Sequence, residues 1–193
     1  MARGQENIVP YGVFLRGLLN NPRGVSAPTP SSPALADAIA AEIDPARPGL
    51  VIELGPGTGA CTAALVRRGI APRRILAIEQ DAGFAVSLRR AFPGADVRQG
   101  DALRFETYLP AGAEIAGIVC GVPLLTFPVP LRRDLLARAL AAQPPGGNFV
   151  QLSYSWRPPV PVDGGLRVTK KIVWRNFPPA HVWTYRAEEA AQR

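Results

Sequence analysis

Residues 51–59 read VIELGPGTG, an apolar run that ends on an acidic residue and then breaks into alternating glycines. The run has the signature of a buried strand. Glycines at every second position let the chain turn sharply and bring its backbone close to a ligand. A helical pattern follows over about 59–69, so the loop opens at a helix start, where free N–H groups favour an anionic group. A strand that meets a helix through such a loop is the opening unit of a doubly wound α/β sheet.

The rest of the chain continues that alternation. Strands are expected at 50–54, 74–79, 95–98, 115–120 and 149–155, with helices at 59–69, 81–91 and 131–142 between them. After residue 155 the pattern changes. Residues 166–174 and 182–185 alternate with no clear helix between them, which predicts a closing antiparallel hairpin. Ahead of the sheet, 33–43 is a helix with Ser31 or Ser32 as its cap. Residues 10–19 place Tyr11, Phe14, Leu15, Leu18 and Leu19 on one helical face, between Pro10 and Asn20-Asn21-Pro22. The chain therefore divides into an amphipathic helical segment, 1–24, and one α/β domain, 25–193. A length of 193 residues suits one full core and is short for two.

The net charge is +7, and all basic residues but Lys170 and Lys171 are arginine. Arginine matches phosphate geometry, so an anionic partner fits, as does a codon bias toward arginine. Cys61 and Cys120 have neither metal-ligand nor disulfide spacing, which implies a reduced setting and no metal. The apolar stretch 109–130 contains Glu114 and is broken by Pro123 and Pro128, so it reads as buried strand and loop and not as a membrane span.

The glycine spacing is G-x-G-x-G, not the G-x-G-x-x-G of a dinucleotide site. Glu53 lies inside the end of the first strand, just before it. A carboxylate at that depth needs a donor or cation, and the ammonium of a methionine moiety is one. Glu79 ends the second strand, where it can accept both hydroxyls of a ribose. Asp101 follows the third strand and can accept from an adenine amino group. In this order, the three carboxylates and the loop point to S-adenosylmethionine.

The arrangement resembles the class I methyltransferases over about residues 25–155. The resemblance implies a seven-stranded Rossmann-like sheet whose last strand pair is antiparallel. It implies a cofactor set of Glu53, Gly55, Gly57, Thr58, Gly59, Glu79 and Asp101, together with Ser32, Gln80 and Ala102. The finer pattern is similar to bacterial phosphatidylethanolamine N-methyltransferases of the soluble, membrane-associating type. The matching pieces are Ser31-Ser32-Pro33 with Leu35-Ala36, Cys120-Gly121-Val122-Pro123-Leu124-Leu125, and the segment from Val173 to Trp183, which contains Asn176-Phe177-Pro178-Pro179-Ala180. What this implies is methylation of a phospholipid amine at an anionic membrane surface, in a cytoplasmic enzyme held peripherally at the inner face.

Methyl transfer to an amine is an in-line displacement and chiefly a matter of orientation. Tyr11, Tyr154, Trp174, Trp183 and Tyr185 are candidates to hold a methylated ammonium against an aromatic face. Tyr11 either closes over the site or is the first core residue of its helix. Tyr154 faces the pocket mouth or is a partly buried strand residue. His181, the one histidine, is either a general base or structural. Arg175 and Lys171, on one face of the expected strand, are the candidates for the lipid phosphate. The helix at 10–19 is a membrane anchor, a lid, or both.

Two other readings stand beside this one. A ribosomal RNA adenine N6-methyltransferase typically has asparagine and an aromatic after the fourth strand, to stack on a flipped base. Here that segment is Gly121-Val122-Pro123-Leu124, with neither, and no nucleic-acid partner is expected. A non-catalytic cofactor-binding module would not need the complete loop and its carboxylates.

Overall fold

A computed structural model describes residues 31–162 and 164–187. The helix expected at 10–19, with Tyr11, lies outside the described residues. Seven strands form one sheet in the order β3-β2-β1-β4-β5-β7-β6. β1 (Leu50–Leu54), β2 (Ile75–Glu79) and β4 (Ile115–Cys120) are apolar along both faces, apart from Glu53 and Glu79, and buried except at Leu50. Such continuous runs belong in a parallel sheet covered on both sides. β3 (Asp96–Gln99) and β5 (Phe149–Ser153) complete the parallel set. β7 (Ala180–Ala187) runs antiparallel to both β5 and β6 (Leu166–Val173), as the sequence predicts. β6 is the edge strand and carries Lys170 and Lys171, the kind of charge that discourages edge-to-edge pairing.

Four helices pack on the sheet: α1 (Pro33–Ala40), α2 (Ala60–Arg67), α3 (Ala82–Ala91) and α4 (Val129–Ala141). Leu35 and Ile39 of α1, Leu65 of α2 and Leu88 of α3 share one core with Val51, Ala77, Val119 and Val182. α1, α2 and α3 therefore cover one face. α4 lies against β5 on the other, where Phe149 and Tyr185 meet edge to face at 6.2 Å. α4 starts earlier than expected because Pro130 sits in its first turn, where a missing N–H costs nothing.

The strand order reverses between β1 and β4, so the loops after them diverge and leave a crevice at the carboxyl edge of the sheet. Ser153 pairs with His181, and Val173 pairs with Ala180. The segment after β5 and the β6–β7 turn therefore emerge at that same edge.

Candidate active site

The loop after β1 is built from three glycines in the left-handed region, Gly55 (φ 69°), Gly57 (φ 56°) and Gly59 (φ 82°). They have different jobs. A Cβ on Gly59 would come within 2.8 Å of both Leu88 and Phe92, so this glycine lets α2 pack on α3. A Cβ on Gly57 would meet nothing within 4 Å. Its bare backbone faces open space, which is what a ligand cradle requires. Gly59 caps α2 without a side-chain hydrogen bond, which leaves the helix start free to receive a polar group.

Glu79 fastens this loop. Its Oε2 accepts from Gly57 N at 2.8 Å and its Oε1 from Asp81 N at 2.9 Å. Each oxygen keeps a further lone pair for a ribose hydroxyl. Asp101 follows β3, and its Oδ1 accepts from Leu103 N at 2.9 Å. Tyr108 closes the turn from above: its hydroxyl accepts from Asp101 N at 3.2 Å, and a Cβ on Gly100 would collide with it.

Glu53 is fully buried, and one oxygen accepts from Thr62 Oγ1 at 2.7 Å. The other oxygen, Oε1, has no nitrogen or oxygen partner, and the Cys61 thiol hydrogen-bonds to the carboxyl. Burial pushes the carboxyl up to about 7, the Thr62 hydrogen bond opposes this, and the charge of Glu79 adds to it. A buried carboxylate with an orphan acceptor is stable only when a cation arrives. The donor set thus fits S-adenosylmethionine: a cation-seeking carboxylate, a bare glycine, and two carboxylates at the ends of β2 and β3. When bound, the cofactor supplies an electrophilic methyl on sulfur.

The remaining expected cofactor positions fall around this cradle. Thr58 is exposed at the loop tip, Gln80 half-buried after Glu79, and Ala102 buried at the start of the short 3-10 segment after Asp101. Ser32 joins α1 to the β6–β7 turn. Its Oγ accepts from Leu35 N at 3.2 Å as the cap of α1 and donates to Arg175 O at 3.2 Å, while its N–H donates to Asn176 Oδ1 at 3.1 Å. Two sequence segments that carry the finer resemblance therefore meet in space.

On the substrate side, Gly121 N donates to Leu54 O at 2.8 Å, which sets the post-β4 loop beside the glycine loop. Gln151, buried on β5, donates to Val122 O at 3.0 Å and so fixes that loop. The sequence reading missed Gln151; an amide in the otherwise apolar strand FVQLS was the available signal. Tyr154 is exposed just beyond β5.

His181 is buried beneath Trp156, with ring centroids 4.8 Å apart, and interacts with the Ser153 backbone. Burial, then the charge of Lys170, lowers its pKa. It is the neutral form that a base needs, but Trp156 lies over it. Tyr185 is a core residue and not an ammonium contact. It is fully buried and its hydroxyl accepts from Val160 N at 3.1 Å. Trp183 is buried too, with Lys170 Nζ 5.3 Å from its ring. Lys171 pairs with Glu42 while its side chain stays largely exposed. Arg175 lies in the turn beyond β6, outside the strand alternation expected for it. Its guanidinium has no partner among the described residues.

A relative from Singulisphaera acidiphila, named ornithine lipid N-methyltransferase, is 32% identical over 148 residues, 74% of this chain and 77% of that protein. The chain belongs to the class I S-adenosylmethionine-dependent methyltransferases. The family model for ribosomal RNA adenine dimethylase matches this methyltransferase at residues 31–116. A ribosomal RNA small subunit methyltransferase A from Burkholderia sp is 40% identical over 84 residues, 43% of this chain and 30% of that one. Among solved structures, TrmN from Thermus thermophilus shares the fold with a TM-score of 0.59 at 23% identity, over 81% of the methyltransferase and about half (49%) of TrmN's length.

Proposed function

We propose that this methyltransferase places methyl groups on the amine of a lipid headgroup at the inner face of the cytoplasmic membrane. The substrate series is phosphatidylethanolamine and its mono- and dimethyl derivatives, leading toward phosphatidylcholine. One observation carries the reading: the loop beside the methyl-donor cradle has nothing to stack on a base. Gly121, Pro123, Leu125 and Pro128 are its exposed residues, its one aromatic, Phe127, is buried, and so is Leu124, where an RNA adenine enzyme has its aromatic. The ornithine lipid enzyme, similar over three-quarters of the chain, also names a lipid amine. In this reading Tyr154, exposed beyond β5, orients the amine and Arg175 meets the phosphate.

The RNA reading draws on a specific match, but that match ends at Ala116, before the substrate loop begins. It attests the cofactor half, which both enzyme classes share. The test is incubation of the full chain with methyl-labelled S-adenosylmethionine and vesicles containing phosphatidylethanolamine, vesicles containing ornithine lipid, or ribosomal RNA. Label in phosphatidylethanolamine is the expected result. Label confined to ornithine lipid would move the substrate within the lipid class, and label confined to RNA would overturn the proposal.

A further inference from the structure

The β6–β7 turn displays its apolar side chains outward. Trp174 is 70% exposed and Phe177 90% exposed, followed by exposed Pro178 and Pro179. Between them Asn176 is buried; its side chain accepts from Ser32 N at 3.1 Å and donates to Pro178 O at 2.7 Å. The turn is therefore pinned to α1 through its polar residue, and the pinning forces its large apolar residues into solvent. Trp156, 65% exposed, rises from the neighbouring segment after β5. Large apolar side chains gathered at one place on a surface mark an interaction site.

The charge around the turn is one-sided. Residues 117–187 carry a net of +7 against −1 for residues 31–116, although Arg167 and Arg186 stand at the far end of the hairpin and Arg138 and Lys171 are paired with carboxylates. Arg175 lies in the turn and Arg157 beside Trp156, and neither 154–162 nor 174–187 contains a carboxylate. Lys170 Nζ lies 5.3 Å from the Trp156 ring. Tryptophan prefers the boundary between headgroups and acyl chains, and arginine and lysine are drawn to anionic headgroups. The apolar tip of Phe177, Pro178 and Pro179 offers few polar groups to a nucleic acid, but it can enter hydrocarbon.

We propose that the β6–β7 turn, with Trp156 beside it, is the surface by which the protein docks on an anionic lipid bilayer, with Trp174 and Phe177 entering the headgroup boundary. The turn emerges at the same sheet edge as the cofactor loop, so docking presents the mouth of the site to the membrane. The inference rests on the lipid reading for its purpose, but its test does not use the substrate.

The full chain is mixed with vesicles of phosphatidylglycerol and phosphatidylcholine that contain no aminolipid. Trp156→Phe leaves Trp174 as the exposed indole, since Trp183 is buried. Its emission shifts to the blue on vesicle addition and is quenched by lipids brominated near the headgroup. Phe177→Ser lowers the vesicle partition coefficient about tenfold, and Phe177→Leu restores most of it. Half-molar salt weakens binding, because exposed charges are screened at that strength. Sedimentation with vesicles while Trp174 emission stays unchanged would assign the contact to another surface and overturn the proposal. So would an unaltered Phe177→Ser, a Trp174 shift that appears with RNA and not with vesicles, or one that grows with protein concentration alone. Vesicle binding through Trp174 with no methyl transfer to any lipid would leave this surface standing and remove the substrate reading. Transfer to lipid in detergent without vesicle binding would do the reverse.

Discussion

Glu53→Gln should make the cofactor-free protein more stable at pH 8 while weakening its grip on S-adenosylmethionine. The carboxyl is pushed by burial from 4.5 to about 7. The folded value lies above the unfolded one, so the unfolded chain loses this proton first as pH rises. Below pH 4.5 the group costs nothing. Between 4.5 and 7 stability falls, and above 7 the loss is complete, at about 3 kcal/mol. Glutamine can still accept from Thr62, but its amide N–H strands a donor where Oε1 has no nitrogen or oxygen partner now, at a cost of about 1 kcal/mol. The net gain at pH 8 is about 2 kcal/mol, or about 4–8 °C in Tm for a domain of this size. At pH 4.5 the two proteins should melt within about 1 kcal/mol of each other, because the wild-type carboxyl is then neutral.

The ligand side of the prediction has the opposite sign. Removing a carboxylate partner of the methionine ammonium should weaken S-adenosylmethionine binding about 10- to 100-fold. In the wild type, binding below pH 7 should release a proton as Glu53 ionises, and affinity should rise with pH up to about 7. In Glu53→Gln both effects vanish. Differential scanning fluorimetry at two pH values and calorimetry in buffers of different ionisation enthalpy measure the two halves. A variant equally destabilised at pH 4.5 and pH 8, or one that binds the cofactor as tightly as wild type, would refute the assignment.

Two glycines of one loop should separate ligand contact from packing. Gly57→Val meets no neighbour and blocks the cradle, with at least a hundredfold loss in calorimetric cofactor affinity and only the strain of a branched side chain at φ 56°, about 1–2 kcal/mol; Gly59→Val adds to the same strain a collision with Leu88 and Phe92 and lowers Tm by a further ~5 °C. Ser32→Ala loses the cap of α1 and its tie to the β6–β7 turn, about 1 kcal/mol by chemical denaturation, with cofactor Kd unchanged; a tenfold weaker Kd would place Ser32 in the cofactor set. His181 should titrate below 6.5 by NMR, so that stability falls as pH drops through that range, and Lys170→Met should move the titration back up. Gln151→Leu frees Val122 O and the post-β4 loop, and should lower kcat while leaving cofactor Kd within about twofold.

The cofactor cradle was legible in the sequence because its signals are local. Glu53 and Glu79 sit at the ends of strands that are apolar on both sides, Asp101 follows the next strand in turn, and the glycines at positive φ mark the loop between. The sheet was legible for a related reason: residues buried on both faces give unbroken apolar runs. What stayed hidden depends on partners far away in the chain. Strand alternation could assign Lys171 to a face but could not show Glu42, 129 residues earlier, waiting on that face. It also failed for Arg175, because β6 ends at Val173 and the periodicity stops there. Ser32 and Asn176 each read as members of separate motifs. Their hydrogen bond, spanning 144 positions, is what makes the motifs one feature. His181 was visible as a lone titratable residue, but not the Trp156 ring over it.

The strand order turns these details into a division of labour. Glu53, Glu79 and Asp101 all project from β1, β2 and β3, on one side of the switch point. Gln151, Tyr154, Trp156, Trp174 and Phe177 all come from β5 to β7, on the other. The same boundary separates the nearly neutral half of the chain from the half with net +7. The family-model match stops there as well, at Ala116. On the proposed reading, one half holds the methyl donor in the same way for many acceptors, because its carboxylates and glycine loop all serve the cofactor cradle. The acceptor is selected by the other half, whose changes in charge and exposed aromatic surface leave the cradle intact. If that separation holds, Phe177→Ser and Gly57→Val should act independently: the first should alter vesicle binding at constant cofactor affinity, and the second the reverse. A change in cofactor Kd on altering Phe177 would mean that the two halves are coupled across β4.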